Sequence, residues 1–213
     1  MDDLSIGLTE LELDALTELV NLGVSNSALS LRELVREEVM LSVPDVAMVT
    51  REQAIANLSG RNTKRLVAVQ QDFSGEINGR ALLIFPEVKS MELVRAVVGG
   101  HLSLEDIADL EHEALAETGN ILLNGCLGTI ANSFERSLQI SLPEVLYGEG
   151  SEFFSVRPGL SSEDSILFIH ITFAVRLRDI EGYIAMLLDI QSVRNLKALL
   201  GAFIARSANY TPE

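Results

Sequence analysis

The sequence contains an internal repeat, and this repeat constrains the fold more than any other feature. Residues 14–21 read DALTELVN and residues 113–120 read EALAETGN, so an acid, a glutamate four places on and an asparagine three further recur 99 residues later. A proline follows each asparagine at the same distance, as Pro44 and Pro143. Self-similarity at a fixed offset indicates one structural unit used twice. We therefore expect two related halves with one architecture.

The apolar pattern predicts the same order of elements in both halves. A long helix, at about 10–36 and again at about 105–135, is followed by a strand that ends at the proline, a strand pair and a short closing helix. No Pro-rich or low-complexity linker separates the halves, so we expect one shared core. The predicted fold is α/β (α+β): a single domain over residues 1–213, with pseudo-twofold repeats at about 10–100 and 105–205 and a mixed β-sheet flanked by helices.

Charge and composition exclude several classes of function. The chain of 213 residues is 47% hydrophobic and carries a formal net charge of −15, which argues against nucleic acid because phosphate binding needs a stripe of Lys and Arg. No apolar run approaches the roughly 18 to 20 residues that span a bilayer. The acidic start MDDLSIGLTE has no basic region typical of a signal peptide. We therefore predict a cytoplasmic protein without membrane insertion.

Cysteine and histidine residues give no sign of a metal or cofactor site. Cys126 is the only cysteine and lies within LLNGCLG, which indicates a core thiol and excludes an intrachain disulfide. His101, His112 and His170 do not have the spacing of metal ligands. We therefore expect neither a metal nor a cofactor in this chain.

Polar residues gather on one side of each long helix, opposite the leucine and valine residues. The first stripe is Asp14, Glu18, Asn21 and Ser25, and the second stripe is Glu113, Glu117, Asn120 and Asn124. A solvated helix face would explain one such stripe. Asparagine, however, gains nothing in a helix by propensity, and the two halves have otherwise diverged. The recurrence of Glu and Asn at outward positions therefore points to function.

At these residues the sequence resembles a known family. The pattern Asp/Ser-x-x-x-Glu-x-x-Asn, followed by 22 residues and a proline, is the signature of the CheC, CheX and FliY phosphatases of bacterial and archaeal chemotaxis. The first half fits it completely, and the second differs only in Glu113, where Asp or Ser is usual. A chain of this length that carries two such motifs is most similar to CheC. The resemblance implies a chemotaxis phosphatase of the phosphorylated response regulator CheY, with an α/β fold of two related halves.

The implied substrate is an aspartyl phosphate in a receiver domain, and it suggests roles for four stripe residues. Phosphoryl transfer has a loose transition state, so the enzyme mainly has to place a water in line. Asn21 and Asn120 are predicted to orient that water, since a carboxamide accepts a hydrogen bond from water, donates to a phosphoryl oxygen and adds no charge. Glu18 and Glu117 are predicted to pair with the lysine that receiver domains keep near the phosphorylation site.

The expected partner is a phosphorylated CheY-like receiver domain, which holds Mg²⁺ through its own carboxylates. Asp14 and Glu113, one turn earlier, are predicted to bind the same basic partner, with plain solvation as the alternative. A second interpretation is a regulatory binding module for CheD, the chemoreceptor deamidase, with little or no hydrolase activity. The sequence leaves open which stripe is more active, which receiver is the substrate, whether CheD binds and what the oligomeric state is.

Overall fold

The computed structural model describes residues 7–35, 39–59, 65–98, 104–154, 165–175 and 178–208. In chain order the elements are α1 (Glu10–Val35), β1 (Val39–Val49), α2 (Arg51–Ser59), β2 (Leu66–Ser74), β3 (Gly79–Pro86), α3 (Glu87–Val98), α4 (Leu104–Ser133), β4 (Gln139–Ile140), β5 (Glu144–Gly148), α5 (Gly150–Phe153), β6 (Ser165–Val175), β7 (Arg178–Leu188) and α6 (Ile190–Ala208). None of the described helices combines the length and the apolar character that a bilayer span requires.

The strands form one sheet in the order β1-β6-β7-β3-β2-β4, and β5 also pairs with β2. Every pairing between described strands is antiparallel. The α+β class is confirmed, but the expected mixed sheet is wrong, because short connections join β2 to β3 and β6 to β7 and such connections make neighbours antiparallel. If β1 is exchanged with β4, β2 with β6 and β3 with β7, the same strand order is obtained in the reverse direction. Two related halves would produce this order, although the internal repeat itself stays a prediction.

Helices cover both faces of the sheet. The apolar sides of α1, α3, α4 and α6 pack on one face, and α2 and α5 pack on the other. Residues of β2 alternate between these layers, with Val67 and Val69 in the first and Leu66 and Ala68 in the second. This alternation follows from the period of two along a strand. Both long helices therefore lie on the same side of the sheet.

Glycine residues allow α1 and α4 to cross at close range. A Cβ added to Gly23 would lie 2.8 Å from the Cα of Cys126, and a Cβ added to Gly125 would lie 1.9 Å from the Oγ of Ser27. The Ser27 hydroxyl donates to the carbonyl oxygen of Gly23 at 2.8 Å. The two helix backbones are thus almost in contact, which fixes the position of the first stripe relative to the second.

The strand β1 continues past Pro44, where the sequence predicts its end. Its register with β6 shifts between Ser42 and Asp45, so the proline lies in a bulge of an edge strand. Proline has no N–H to donate to a ladder, and bulges and edge strands are the places in a sheet that tolerate it. The expected strand end is therefore corrected to a bulge.

A second bulge occurs at Pro143. Residues 139–143 were expected to form one strand, but only β4 forms, and Pro143 lies between β4 and β5. Between the paired residues Ile140 and Glu144 the chain has three residues, 141–143, whereas the opposite stretch of β2 has only two, Gln71 and Asp72. Pro44 therefore marks a bulge inside the strand that follows α1, and Pro143 marks one directly after the strand that follows α4.

The sequence analysis did not predict the short helices α2 and α5. The N–H of Thr50 donates to Oε1 of Gln53 at 2.9 Å, and the N–H of Gln53 donates back to the Thr50 hydroxyl at 3.3 Å. Glu149, 99 residues after Thr50, forms a similar capping box with Glu152. The capping signal was readable, but a helix of one or two turns has too few apolar residues to show a period.

Candidate functional site

The acidic residues of both stripes lie exposed on the outer sides of α1 and α4. Asp14 and Glu18 are exposed on the first helix, as are Glu113 and Glu117 on the second. Within the described part of the chain, no hydrogen bond or ion pair joins a residue of one stripe to a residue of the other. The fold therefore presents two separate acidic surfaces on neighbouring helices.

The two asparagines are half-buried, and their carboxamides have different surroundings. Asn21 makes no side-chain hydrogen bond to any described residue. In contrast, Oδ1 of Asn120 accepts a hydrogen bond from Nδ2 of Asn124 at 2.7 Å and another from Nε2 of Gln71 at 3.3 Å. The orientation of the Asn120 carboxamide is therefore set by its neighbours, whereas no described residue fixes the carboxamide of Asn21 by a hydrogen bond.

Gln71, Asn120 and Asn124 form a small amide cluster between α4 and β2. The helix lies directly on the strand at Gly119, where a Cβ atom would come within 2.4 Å of Val69. Gln71 is only 1% exposed. Asn124, whose spacing places it on the second stripe, turns its Oδ1 into the protein, and neither this oxygen nor Oε1 of Gln71 has a hydrogen-bond partner in the described ranges.

Sequence analysis missed Gln71, although a signal for it exists. The segment LVAVQQDFS of β2 is buried at its first six positions, and Gln70 and Gln71 are polar residues that follow four apolar ones there. Buried polar side chains need a partner. The partner is Asn120, which lies 49 residues away in the sequence, and no local pattern predicts that contact.

A row of exposed leucines runs beside the first stripe. Leu11, Leu22 and Leu29 are 62%, 54% and 63% exposed, and all three fall within about 40° of Glu18 around the helix. Clustered exposed apolar side chains mark interaction surfaces. The residues 99 positions later on α4 are Leu110, Ile121 and Gly128. Leu110 is 36% exposed and Ile121 packs against the core, so the second stripe has less apolar surface beside it than this leucine row.

Cys126 is enclosed in the core, as its sequence context predicts. Burial raises the pKa of its thiol to about 12, so the thiolate that a nucleophile requires is scarce at neutral pH. Among the described residues, no group of three or more His, Cys, Asp or Glu side chains could hold a metal ion. His112 is exposed on α4 and His170 stacks on Tyr183 with ring centroids 5.1 Å apart, while His101 lies outside the described residues.

Known proteins resemble this chain in both sequence and fold, although no protein-family model matches it. The CheY-P phosphatase CheC of Bacillus subtilis is 23% identical over 203 residues, which are 92% of this chain and 97% of that protein. CheC1 of Halobacterium salinarum is 25% identical over 150 residues, or 69% of this chain and 75% of that protein. The crystal structure of Thermotoga maritima FliY shares the fold with a TM-score of 0.73 at 14% identity, over 92% of this chain and 98% of that one. These relatives confirm the resemblance to the CheC family that the two motifs predict.

Proposed function

We propose that this chain is a phosphatase that hydrolyses the aspartyl phosphate of a CheY-like receiver domain. The observation that carries the proposal is the presence, on each long helix, of an exposed glutamate followed three residues later by a half-buried asparagine. Similarity to a CheY-P phosphatase along 92% of the chain supports it. In this proposal Asn21 and Asn120 act on the phosphoryl group and its attacking water, and Glu18 and Glu117 bind the receiver.

The chemistry suits these side chains. An aspartyl phosphate is a labile acyl phosphate, and correct placement of water can lower its hydrolysis barrier by several kcal/mol. A carboxylate in contact with the phosphoryl group would be repelled, whereas a carboxamide is neutral and offers both a donor and an acceptor. The glutamates Glu18 and Glu117 therefore act better as partners of a receiver lysine than as bases. The receiver supplies Mg²⁺, so the reaction requires no metal ligand from this chain.

The leucine row indicates how a receiver docks at the first stripe. We propose that the partner places an apolar contact on Leu11, Leu22 and Leu29 while its lysine pairs with Glu18. Apolar burial would supply affinity, and the charge pair would supply orientation and a faster encounter. The acids Asp14 and Glu113 lie exposed one turn earlier and extend the same electrostatic attraction at each stripe.

Leu22→Ser should raise KM for the phosphorylated receiver about fivefold and leave kcat nearly unchanged. The variant removes roughly 1 kcal/mol of apolar burial, and this burial stabilises the bound receiver equally in the ground state and in the transition state. The measurement is phosphate release in the Asn120→Ala background, where only the first stripe is active. Val88→Ser is the matched control, since Val88 is 72% exposed on α3 and belongs to neither stripe. Equal KM values for the Leu22 variant and its parent would rule out docking on this row.

The function is tested by the rate of phosphate release from phosphorylated chemotaxis receiver domains in the presence of Mg²⁺, with and without this protein. We expect release to accelerate in proportion to the amount of protein added. Rates that do not change with any receiver that binds the chain would overturn the proposal. Stable binding of the deamidase CheD without such acceleration would support the regulatory interpretation, which stays an untested alternative.

A further inference from the structure

We infer that Gln71 is a positioning residue of the second stripe, which holds the carboxamide of Asn120 with its oxygen toward the sheet and its amide group toward the receiver. This inference rests on the proposed function and makes it more specific. It assigns different chemistry to the two stripes: Asn120 is set to donate to a phosphoryl oxygen, and Asn21 can both donate to that oxygen and accept from water.

The geometry at Asn120 supports this orientation. Its Oδ1 accepts hydrogen bonds from Nδ2 of Asn124 and from Nε2 of Gln71, which uses both lone pairs of the amide oxygen. Nδ2 of Asn120 donates to no residue in the described part of the chain and is not among its enclosed polar atoms. The oxygen and the nitrogen of a planar carboxamide diverge from the same carbon atom, so an inward oxygen is compatible with an amide group that reaches the surface.

Gln71 is itself anchored. Its Nε2 also donates to the carbonyl oxygen of Ser141 at 2.9 Å, inside the bulge that Pro143 marks. The bulge interrupts the hydrogen-bond ladder that β2 forms with β4 and β5, so this carbonyl can accept a hydrogen bond from a side chain. Gln71 thereby ties the helix that bears Asn120 to the edge of the sheet.

Among the described side chains, the first stripe has no equivalent of Gln71. Exchange of the two halves brings β6 to the position of β2, and its described side chains on the face of Gln71 are Leu167, Ile169 and Ile171. All three are buried and apolar, and none can hydrogen bond to Asn21. The residue 99 positions before Asn124 is Ser25, which is exposed. The two stripes therefore differ in the strands that correspond under this exchange.

Stability does not account for a glutamine at this position. Oε1 of Gln71 and Oδ1 of Asn124 are buried without a hydrogen-bond partner among the described residues, and a buried polar atom without a partner is destabilising. A leucine would fill the same volume without the unpaired Oε1, and it would also lose the hydrogen bonds from Nε2 to Asn120 and to Ser141. A buried side chain that leaves one oxygen unpaired and yet contacts Asn120 fits a role in the site better than a role in the core.

Phosphate-release kinetics of Gln71→Leu in two backgrounds test the inference. In Asn21→Ala, where only the second stripe acts, we expect kcat to fall about tenfold with KM unchanged, because misplacement of a catalytic group lowers turnover more than binding. In Asn120→Ala, where only the first stripe acts, we expect no change. The thermal midpoint should change little, because the variant removes two hydrogen bonds of Gln71 together with its unpaired oxygen. Gln71→Met, which keeps the length of the side chain, repeats the test should the leucine variant fail to fold.

Gln70→Leu is the matched control. Gln70 is the next residue of the same strand, is 5% exposed and donates to Glu144 at 3.2 Å on the opposite face of the sheet. We expect it to leave kcat at both stripes unchanged. An equal loss of kcat in both backgrounds, or an equal loss from the Gln70 and Gln71 variants, would show a general structural effect and overturn the inference.

A second measurement is independent of hydrolysis. The side-chain NH₂ resonances of Asn120 and Asn21, assigned by their loss in the alanine variants, report how rigidly each carboxamide is held. We expect a high order parameter for Asn120 that falls in Gln71→Leu, and a low one for Asn21 in both proteins. A mobile Asn120 in the wild-type protein would overturn the positioning role even with normal phosphatase activity. A rigid Asn120 in a protein without hydrolase activity would refute the proposed function alone.

Discussion

Replacement of both Asn21 and Asn120 by alanine should abolish the acceleration of phosphate release. Each carboxamide is the uncharged polar group of its motif and the one proposed to contact the phosphoryl group. Loss of that contact and of the water placement it supports can cost several kcal/mol of transition-state stabilisation, or roughly a hundredfold or more in rate. The measurement is phosphate release from a phosphorylated receiver, with circular dichroism and thermal denaturation as tests of folding. Alanine is a better helix former than asparagine, which offsets part of the loss of the hydrogen bonds that Asn120 accepts, so we expect the double variant to stay folded.

Asn26 and Asn132 provide the matched control for this experiment. Both are exposed asparagines of the same two helices, and neither belongs to a stripe. Their double replacement by alanine should leave the rate unchanged. If the Asn21 and Asn120 double variant also releases phosphate at the wild-type rate, the assigned mechanism is wrong. Each single variant should keep part of the activity, and the two parts should differ because only Asn120 is held by neighbouring amides.

Gly23→Val should destabilise the protein by about 3 kcal/mol or more. The first atom of any side chain at this position would lie 2.8 Å from the Cα of Cys126 and 3.0 Å from the carbonyl oxygen of Gly125. These are backbone atoms and cannot rotate aside, so α1 and α4 must separate and the packing between them must loosen. The free energy of unfolding, measured by urea denaturation, gives the size of this effect.

Gly128→Ala is the control for the helix crossing. Gly128 also lies inside α4, but a Cβ there meets nothing within 4 Å. This variant should gain up to about 1 kcal/mol, since alanine is the better residue in a helix interior. Equal stability of the valine variant at Gly23 and the alanine variant at Gly128 would contradict a close helix contact. We also expect the valine variant to lose phosphatase activity at both stripes, since each depends on the same helix pair.

The features that sequence predicts best here are those encoded by local periodicity. Apolar spacing predicted both long helices, and it placed Glu18 and Glu117 on their outer sides, where they are exposed. The same spacing would also have revealed the leucine row, since Leu11, Leu22 and Leu29 share the face of Glu18. Those leucines were not read as a surface because apolar residues at helical spacing usually belong to a core.

The features that sequence did not predict depend on pairing between distant segments. The antiparallel order of the sheet depends on contacts such as β1 with β6, whose paired residues lie more than a hundred positions apart in the sequence. Gln71 reaches Asn120 only because β2 and α4 pack together. The sequence positions of Pro44 and Pro143 suggested strand ends. That they lie in bulges can be inferred only from the register with the neighbouring strands.

The two prolines also affect how molecules of this protein meet one another. Pro44 lies in β1 at one border of the sheet, and Pro143 lies between the short strands at the other. Each removes one N–H from the row that a strand of a second molecule would need, and each bulge bends that row away from a straight line. Both borders therefore resist strand-by-strand polymerisation, which should keep the chain dispersed at high concentration.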